Sequence, residues 1–358
     1  MIVPFLILTS LTWALPTFYK NKEFNIFFIT LFSIVICGTR DIKCGIDTEQ
    51  YYSIYNQLYG MPFVFELEGE YELGFRLFAY ITSLFSDDPA VFLFVIAAVT
   101  FSLIGIFIYT NTDENHYGIA FFLFVCLGMY STAFNAVRQY LAIAIACNML
   151  WFLRKDKYFM SLLIIIIAYL FHKSMVVLMP CCLLIIIIRR CCDFVDDKYV
   201  ILLITVLSLP MLILAIMLVG GYWFENYLQE YMVYLTLAEY SNTSDHINMM
   251  MAPIEFLYLI LIIMSVYNSK KKMDVKNVVT VSFFVLGSIF SFILMSTVAL
   301  IFYRIEFIFG VYVCVLSSYY FGKLKNNKYK KVKLALVYIA GYVTLLWMLY
   351  TGYNGVLM

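Results

Sequence analysis

The chain has 358 residues, of which 64% are hydrophobic and 13% charged, with a net charge of +1. A soluble domain carries roughly 25% charged residues, so this composition excludes an ordinary water-soluble enzyme, and the near-zero charge gives no electrostatic case for binding nucleic acid. Nine cysteines include the adjacent pairs Cys181-Cys182 and Cys191-Cys192 but no C-x-x-C spacing, which removes the usual zinc and dithiol motifs.

A spanning helix needs about 20 mostly apolar residues. On that basis helices are predicted near 2–18, 24–38, 89–109, 117–133, 136–153, 158–172, 174–188, 199–219, 253–268, 278–301, 305–322 and 334–351. The expected fold is therefore all-α: a polytopic membrane protein of about twelve transmembrane helices, with residues 1–358 forming one integral domain. The first helix lacks a basic leader and a small-residue cleavage site, so it reads as a retained span. Most cysteines fall inside apolar runs and read as small buried hydrophobes. Cys37 and Cys44 flank one membrane edge and could pair in an oxidising compartment.

Two connections are long. Residues 39–88 carry nine acidic residues, Asp47 and Glu72 among them, and Leu73 to Phe85 is amphipathic, as expected of a helix lying at the membrane interface. Residues 220–252 contain no lysine or arginine, but hold Tyr222, Trp223, Tyr227, Tyr231, Tyr234 and Tyr240. Other connections are short.

Lysine and arginine set the orientation. With Lys20 and Lys22 cytoplasmic, 18 of the 24 basic residues fall on that side. Both long segments and both termini then lie outside. No cytoplasmic connection is large enough for a nucleotide-binding domain. The six exceptions are Arg40, Lys43, Arg76, Arg138, Lys173 and Arg304. Four of them, Arg40, Arg138, Lys173 and Arg304, sit at helix ends and gather at one depth on the outer side. A charge at the bilayer centre costs roughly 2.5–3.5 kcal/mol on insertion scales, so cations near apolar spans call for a partner or a task.

Each chemistry-bearing residue has a plain reading and a chemical one. Arg138, with Gln139, is either an anchor that snorkels to headgroups or an anion clamp, because arginine stays charged and offers phosphate a planar fork. Ala142, Ala144 and Ala146 permit close helix approach beside it. His172-Lys173-Ser174 interrupts the apolar run from Leu162 to Ile188. It is either a polar turn or a general base, His172, next to a phosphate-binding lysine. Asp47 in Gly45-x-Asp47 is a turn residue or a carboxylate that orients or deprotonates a sugar hydroxyl, with Tyr51 and Tyr52 for stacking. Glu72 favours a helix dipole or supplies a second carboxylate. Arg304 with Glu306 is a structural ion pair or a second phosphate ligand. The aromatic row is an interfacial belt or a sugar-stacking surface. His116 and His246 read as surface residues, and no residue grouping reads as a metal site.

Taken in order, Gly45-x-Asp47 with Tyr51, Glu72-x-Gly74-Phe75, Phe134-Asn135-x-x-Arg138-Gln139-x-x-Ala142, Phe171-His172-Lys173-Ser174 and Tyr303-Arg304 resemble the EpsG/Wzy family of O-antigen and exopolysaccharide polymerases, with Leu73 where proline is usual. The likeness runs over residues 35–310. It implies a GT-C-like fold and polymerisation of lipid-linked glycan at the outer face of the bacterial inner membrane. The implied partners are undecaprenyl-pyrophosphate-linked glycans, a Wzz-like chain-length regulator and a Wzx-like flippase.

The expected reaction is attack by an acceptor hydroxyl on the anomeric carbon of a growing glycan, with undecaprenyl pyrophosphate leaving. In it Arg138, Arg304, Lys173, Arg40 and Gln139 bind pyrophosphate. His172, Asp47 and Glu72, in that order, are candidate bases. Tyr51, Trp223, Tyr227 and Tyr231 contact glycan. Neither metal nor cofactor is expected. Other assignments are an O-antigen ligase, a flippase or other transporter, and a structural partner of a chain-length regulator. A transporter would place polar groups at mid-membrane, where stretches such as Leu162 to Ile167 carry none.

Overall fold

The computed structural model describes residues 2–65, 71–114, 116–195, 197, 199–201, 203–208, 272–297, 301–323, 338–339, 341–343 and 345–346. Every regular element among these is helical and no strand occurs. The chain divides into two compact units, one formed by Met1–Val176 with Cys314–Met358 and the other by Val177–Val313.

The first unit opens with α1 (Ile2–Phe18) and α2 (Lys22–Gly38). Asn21 caps α2 by accepting the Phe24 N–H, and Glu23 favours the same dipole end. Two helices then form in the first long segment: α3 (Thr48–Leu58) and α4 (Leu73–Ser83). Next comes α5 (Pro89–Asn111), begun by an Asp88 cap and a proline at the first turn. It is followed by α6 (Tyr117–Cys126), α7 (Met129–Thr132), α8 (Val137–Cys147), α9 (Met149–Arg154) and α10 (Tyr158–Tyr169). A 3-10 turn, Lys173–Val177, ends the series.

α2 packs along α5, α5 along α8, and α10 against α8 and α9. Gly105 lets α5 approach α2, since a Cβ there would lie 2.5 Å from Thr30 Oγ1. α1 packs on α6, and its Phe5 ring meets Tyr130 and Phe134 at 5.2 and 5.8 Å. The core that matters for chemistry joins four helices. Tyr51, Ile54 and Tyr55 of α3, Phe75 and Ala79 of α4, Phe92, Leu93 and Ile96 of α5, and Val137 and Leu141 of α8 form one buried cluster. Tyr55 stacks on Phe92 at 4.4 Å and donates its hydroxyl to Ser86 O.

In the second unit α11 (Leu178–Phe194) packs on α12 (Lys272–Thr297). Arg189 of α11 donates to Lys276 O and Thr280 Oγ1, and Asp193 pairs with Lys276 at 2.8 Å. A shorter helical stretch, Tyr199–Ser208, contributes Ile201 to the cluster between them. α13 (Ile301–Lys323) belongs to this unit as far as Val313, with Tyr312 stacked on Phe284 at 4.1 Å.

Several predicted helices end or break where the backbone requires it. The expected helix 117–133 is two, because Gly128 adopts φ +80. The expected helix 136–153 breaks at Asn148, whose side-chain amide donates to Ala144 O. α3 falls where a loop was expected. His116 is 6% exposed, at the N-cap of α6, and is no surface residue. The eight cysteines other than Cys191 are buried, as small hydrophobes are.

The described helices carry apolar side chains outward as well as inward. On α2, Phe24, Phe27, Phe28, Leu31 and Val35 form an exposed row, with Phe27 at 64%. On α10 the same holds for Phe159, Leu163, Ile166 and Ile167. Rows of this size on a water-facing surface would drive aggregation; facing acyl chains they cost nothing. The helical, apolar chain is that of a membrane protein. Among the described residues, two helices of 18 or more residues are apolar enough to cross a bilayer: Pro89–Asn111 and Lys173–Phe194. Residues 209–219 of the expected helix 199–219, all of the expected helix 253–268 and most of 334–351 lie outside the described set.

Candidate active site around Arg138

The site begins with a turn that only glycine accommodates. Gly45 has φ +92, and a Cβ there would meet Asn135 Oδ1 at 2.8 Å. That oxygen accepts the Ile46 N–H at 2.8 Å. The turn is thereby tied to the segment that opens α8. Arg40 fastens the same junction from below. Its guanidinium donates to Cys37 O at 2.7 Å, Thr48 Oγ1 at 3.1 Å and Phe134 O at 3.3 Å, and lies 5.3 Å from the Phe134 ring centroid. Arg40 is 8% exposed, so its charge is spent inside the protein, binding the end of α2 to the starts of α3 and α8.

Asp47 is the N-cap residue of α3, partly exposed, and its carbonyl accepts the Tyr51 N–H. Tyr51 is buried and packs edge-on against Phe75. Its ring is used in packing, and its hydroxyl oxygen accepts the Arg138 backbone N–H at 3.5 Å. Burial pushes the Tyr51 hydroxyl above the usual phenol range, and the nearby Arg138 charge opposes this. The hydroxyl stays protonated at neutral pH.

Glu72 and Arg138 meet directly. Arg138 Nη1 donates to Glu72 Oε2 at 2.7 Å, with the two side chains 26% and 10% exposed. The guanidinium lies 5.4 Å from the Tyr71 ring centroid and 5.6 Å from that of Phe75. This arrangement places a delocalised cation beside two aromatic rings. The other carboxylate oxygen, Glu72 Oε1, accepts the Lys173 backbone N–H at 3.4 Å.

Gly74 explains how α4 comes so close to the 171–174 turn. Its N–H donates to Leu170 O at 2.7 Å, and a Cβ would strike that oxygen and the Phe171 ring at 2.8 Å. His172 is 4% exposed. Ser174 N–H donates to its Nδ1 at 3.2 Å, with Ser174 Oγ at 2.7 Å from the same nitrogen. A backbone N–H cannot accept, so Nδ1 is the acceptor and the neutral ring carries its proton on Nε2. Lys173 itself is exposed.

The structure thus brings together four of the five segments singled out in the sequence: Gly45 to Tyr51, Glu72 to Phe75, Phe134 to Gln139, and Phe171 to Ser174. Gln139, about 100° round α8 from Arg138, is 2% exposed. Arg304 belongs to α13, in the second unit, and its side chain lies outside the described residues, as does that of Glu306. Trp223, Tyr227 and Tyr231, with the whole of 220–252, also lie outside them. Sequence reasoning did not assign Tyr71 a role. The signal was its place beside Glu72, just ahead of α4, where its ring meets that of Phe75 at 6.2 Å.

No curated protein and no solved structure matches the chain. The convergence of these motifs agrees with one comparison: a family model matches residues 24–357, nearly the whole length, and on that basis the chain belongs to the EpsG family.

Proposed function

We propose that this protein is a lipid-linked polysaccharide polymerase, a glycosyltransferase joining oligosaccharide repeat units into O-antigen or exopolysaccharide. Membership of the EpsG family supports a polysaccharide polymerase acting on lipid-linked glycan in a membrane. The finer reading is a multi-pass inner-membrane protein, GT-C-like, with about twelve spans and its site at the periplasmic face. The donor is polymer on undecaprenyl pyrophosphate and the acceptor is one repeat unit on the same lipid.

Arg138 holds the leaving pyrophosphate. Negative charge grows there as the glycosidic bond breaks, and a fixed donor is worth most where charge develops. Lys173 and Arg304 add charge for the second lipid diphosphate. Arg40 serves from within, by fixing the junction that carries Arg138, and Gln139 is buried beside it in α8. The acceptor's proton goes to one of His172, Asp47 and Glu72. Trp223, Tyr227 and Tyr231 guide the sugar chain. A Wzz-like regulator and a Wzx-like flippase act beside it.

The observation that carries this reading is the meeting of Arg138, Glu72 and the His172-Lys173-Ser174 turn. These groups lie at segments whose charge pattern puts them outside the cytoplasm. The test is Arg138→Ala in cells, with the glycan ladder and the protein level both measured. Long chains are lost and single-repeat glycan remains. Normal chain length from stably expressed Arg138→Ala protein overturns the clamp. Loss of single-repeat capping as well identifies a ligase instead.

A further inference from the structure

We infer that Glu72 and the donor's diphosphate take turns on one guanidinium, so that donor binding at Arg138 frees Glu72 to receive the acceptor's proton. This rests on the reading of Arg138 as the diphosphate site. In the present structure the carboxylate occupies that site, with Arg138 Nη1 at 2.7 Å. While the pair is closed both carboxylate oxygens are occupied, Oε2 by Arg138 and Oε1 by the Lys173 N–H. Activation of an acceptor therefore requires the pair to open.

The geometry allows that opening. Arg138 remains 26% exposed on its side chain, so an anion can reach it from outside. The Tyr71 and Phe75 rings stay beside the guanidinium when the carboxylate leaves, and keep it placed. Glu72's second tie, from the Lys173 N–H, is 3.4 Å long and weak. A diphosphate presents the same forked acceptor geometry as a carboxylate with more charge. That surplus is the differential affinity any displacement needs.

His172 is the weaker candidate for the same proton. Its Nδ1 lone pair is engaged by Ser174, which leaves an N–H at Nε2. In the step that follows, the acceptor oxygen bonds to the anomeric carbon. The bond from that carbon to the phosphate oxygen breaks, and its electron pair leaves with the lipid diphosphate. The acceptor's hydroxyl proton passes to the Glu72 carboxylate. Donor and acceptor are coupled in this way: Glu72 becomes a base only once a diphosphate is seated at Arg138.

The experiment uses the full-length protein in detergent with farnesyl diphosphate as probe and lipid-linked repeat units as substrate. Glu72→Gln removes the competing charge. It binds the probe at least about fivefold more tightly than wild type, while polymer formation falls at least about 100-fold. A purely structural pair predicts binding equal to or weaker than wild type, and that result overturns the exchange. Tighter binding with undiminished polymer overturns the proton transfer. If Glu72→Gln does not purify as a monodisperse protein, Glu72→Asp replaces it. Binding tighter than wild type with reduced polymer supports the exchange, and binding no tighter than wild type overturns it. Arg138→Gln separates the two readings. If Arg138→Gln, which removes the charge, binds the probe as wild type does, the Arg138 site itself fails. If it loses binding while Glu72→Gln gains none, only the exchange fails.

Discussion

Gly45 and Gly60 both hold positive φ, +92 and +74, yet they will not accept alanine equally. At Gly60 nothing lies within 4 Å of where an alanine methyl would sit, so Gly60→Ala costs only the left-handed backbone penalty of about 1–2 kcal/mol. Gly45→Ala pays that penalty and displaces Asn135 Oδ1 from the Ile46 N–H, adding about 1–3 kcal/mol. Thermal unfolding in detergent should show the larger drop for Gly45→Ala, together with shortened polymer. Equal midpoints would show that the Asn135 contact is dispensable. Arg40 makes a second case. Charge sorting alone set it apart from the eighteen basic residues expected on the cytoplasmic side. Its inward turn was not legible, because nothing in a sequence says that the carbonyls of Cys37 and Phe134 converge. Arg40→Gln strips several charge-assisted bonds worth about 1.5–3 kcal/mol each. It should lower the unfolding midpoint more than Arg138→Gln does, and lower polymer yield through lost protein.

At the level of elements, α4 is held by one close backbone approach. Gly74→Ala forces a methyl group into Leu170 O and Phe171, and overpacking of this kind costs typically about 1–3 kcal/mol. Because Glu72 precedes Gly74 by two residues, the shift should also cut polymer formation at temperatures where the protein stays folded; unchanged activity there would separate the approach from the site. Tyr55→Phe is the milder counterpart. It keeps the stack on Phe92, loses the bond to Ser86 O, and should cost about 1 kcal/mol with activity retained. α4 was readable in advance from its amphipathic pattern. α3 was not, although Tyr51, Ile54, Tyr55 and Leu58 have helical spacing. Its acidic and tyrosine-rich composition looks like a connection, and only burial against α4, α5 and α8 makes it a helix. The breaks at Gly128 and Asn148 were hidden for the opposite reason: continuous hydrophobicity masks a local turn.

For the whole molecule, composition announced the membrane, since a chain so poor in charge has no other solvent. The outward rows on α2 and α10 give that statement a surface. Orientation rests on charge bias alone, and labelling tests it directly. A cysteine placed at exposed Lys43 should react with a membrane-impermeant maleimide supplied outside the membrane that holds the protein. One placed at exposed Lys157 should react only after that membrane is opened. The eight buried native cysteines keep the background low. Labelling of both with that membrane intact would reject the assigned sidedness. The number of spans was less legible than their existence, because helix length depends on where single residues such as Gly128 interrupt the ladder. α1 lies ahead of the matched span, which starts at residue 24, yet its Phe5 supports the ring of Phe134, the same ring that Arg40 covers. Anyone trimming this protein to the matched span would pull away a prop under the Asn135 junction, so the dispensable-looking leading helix is an unsafe place to cut.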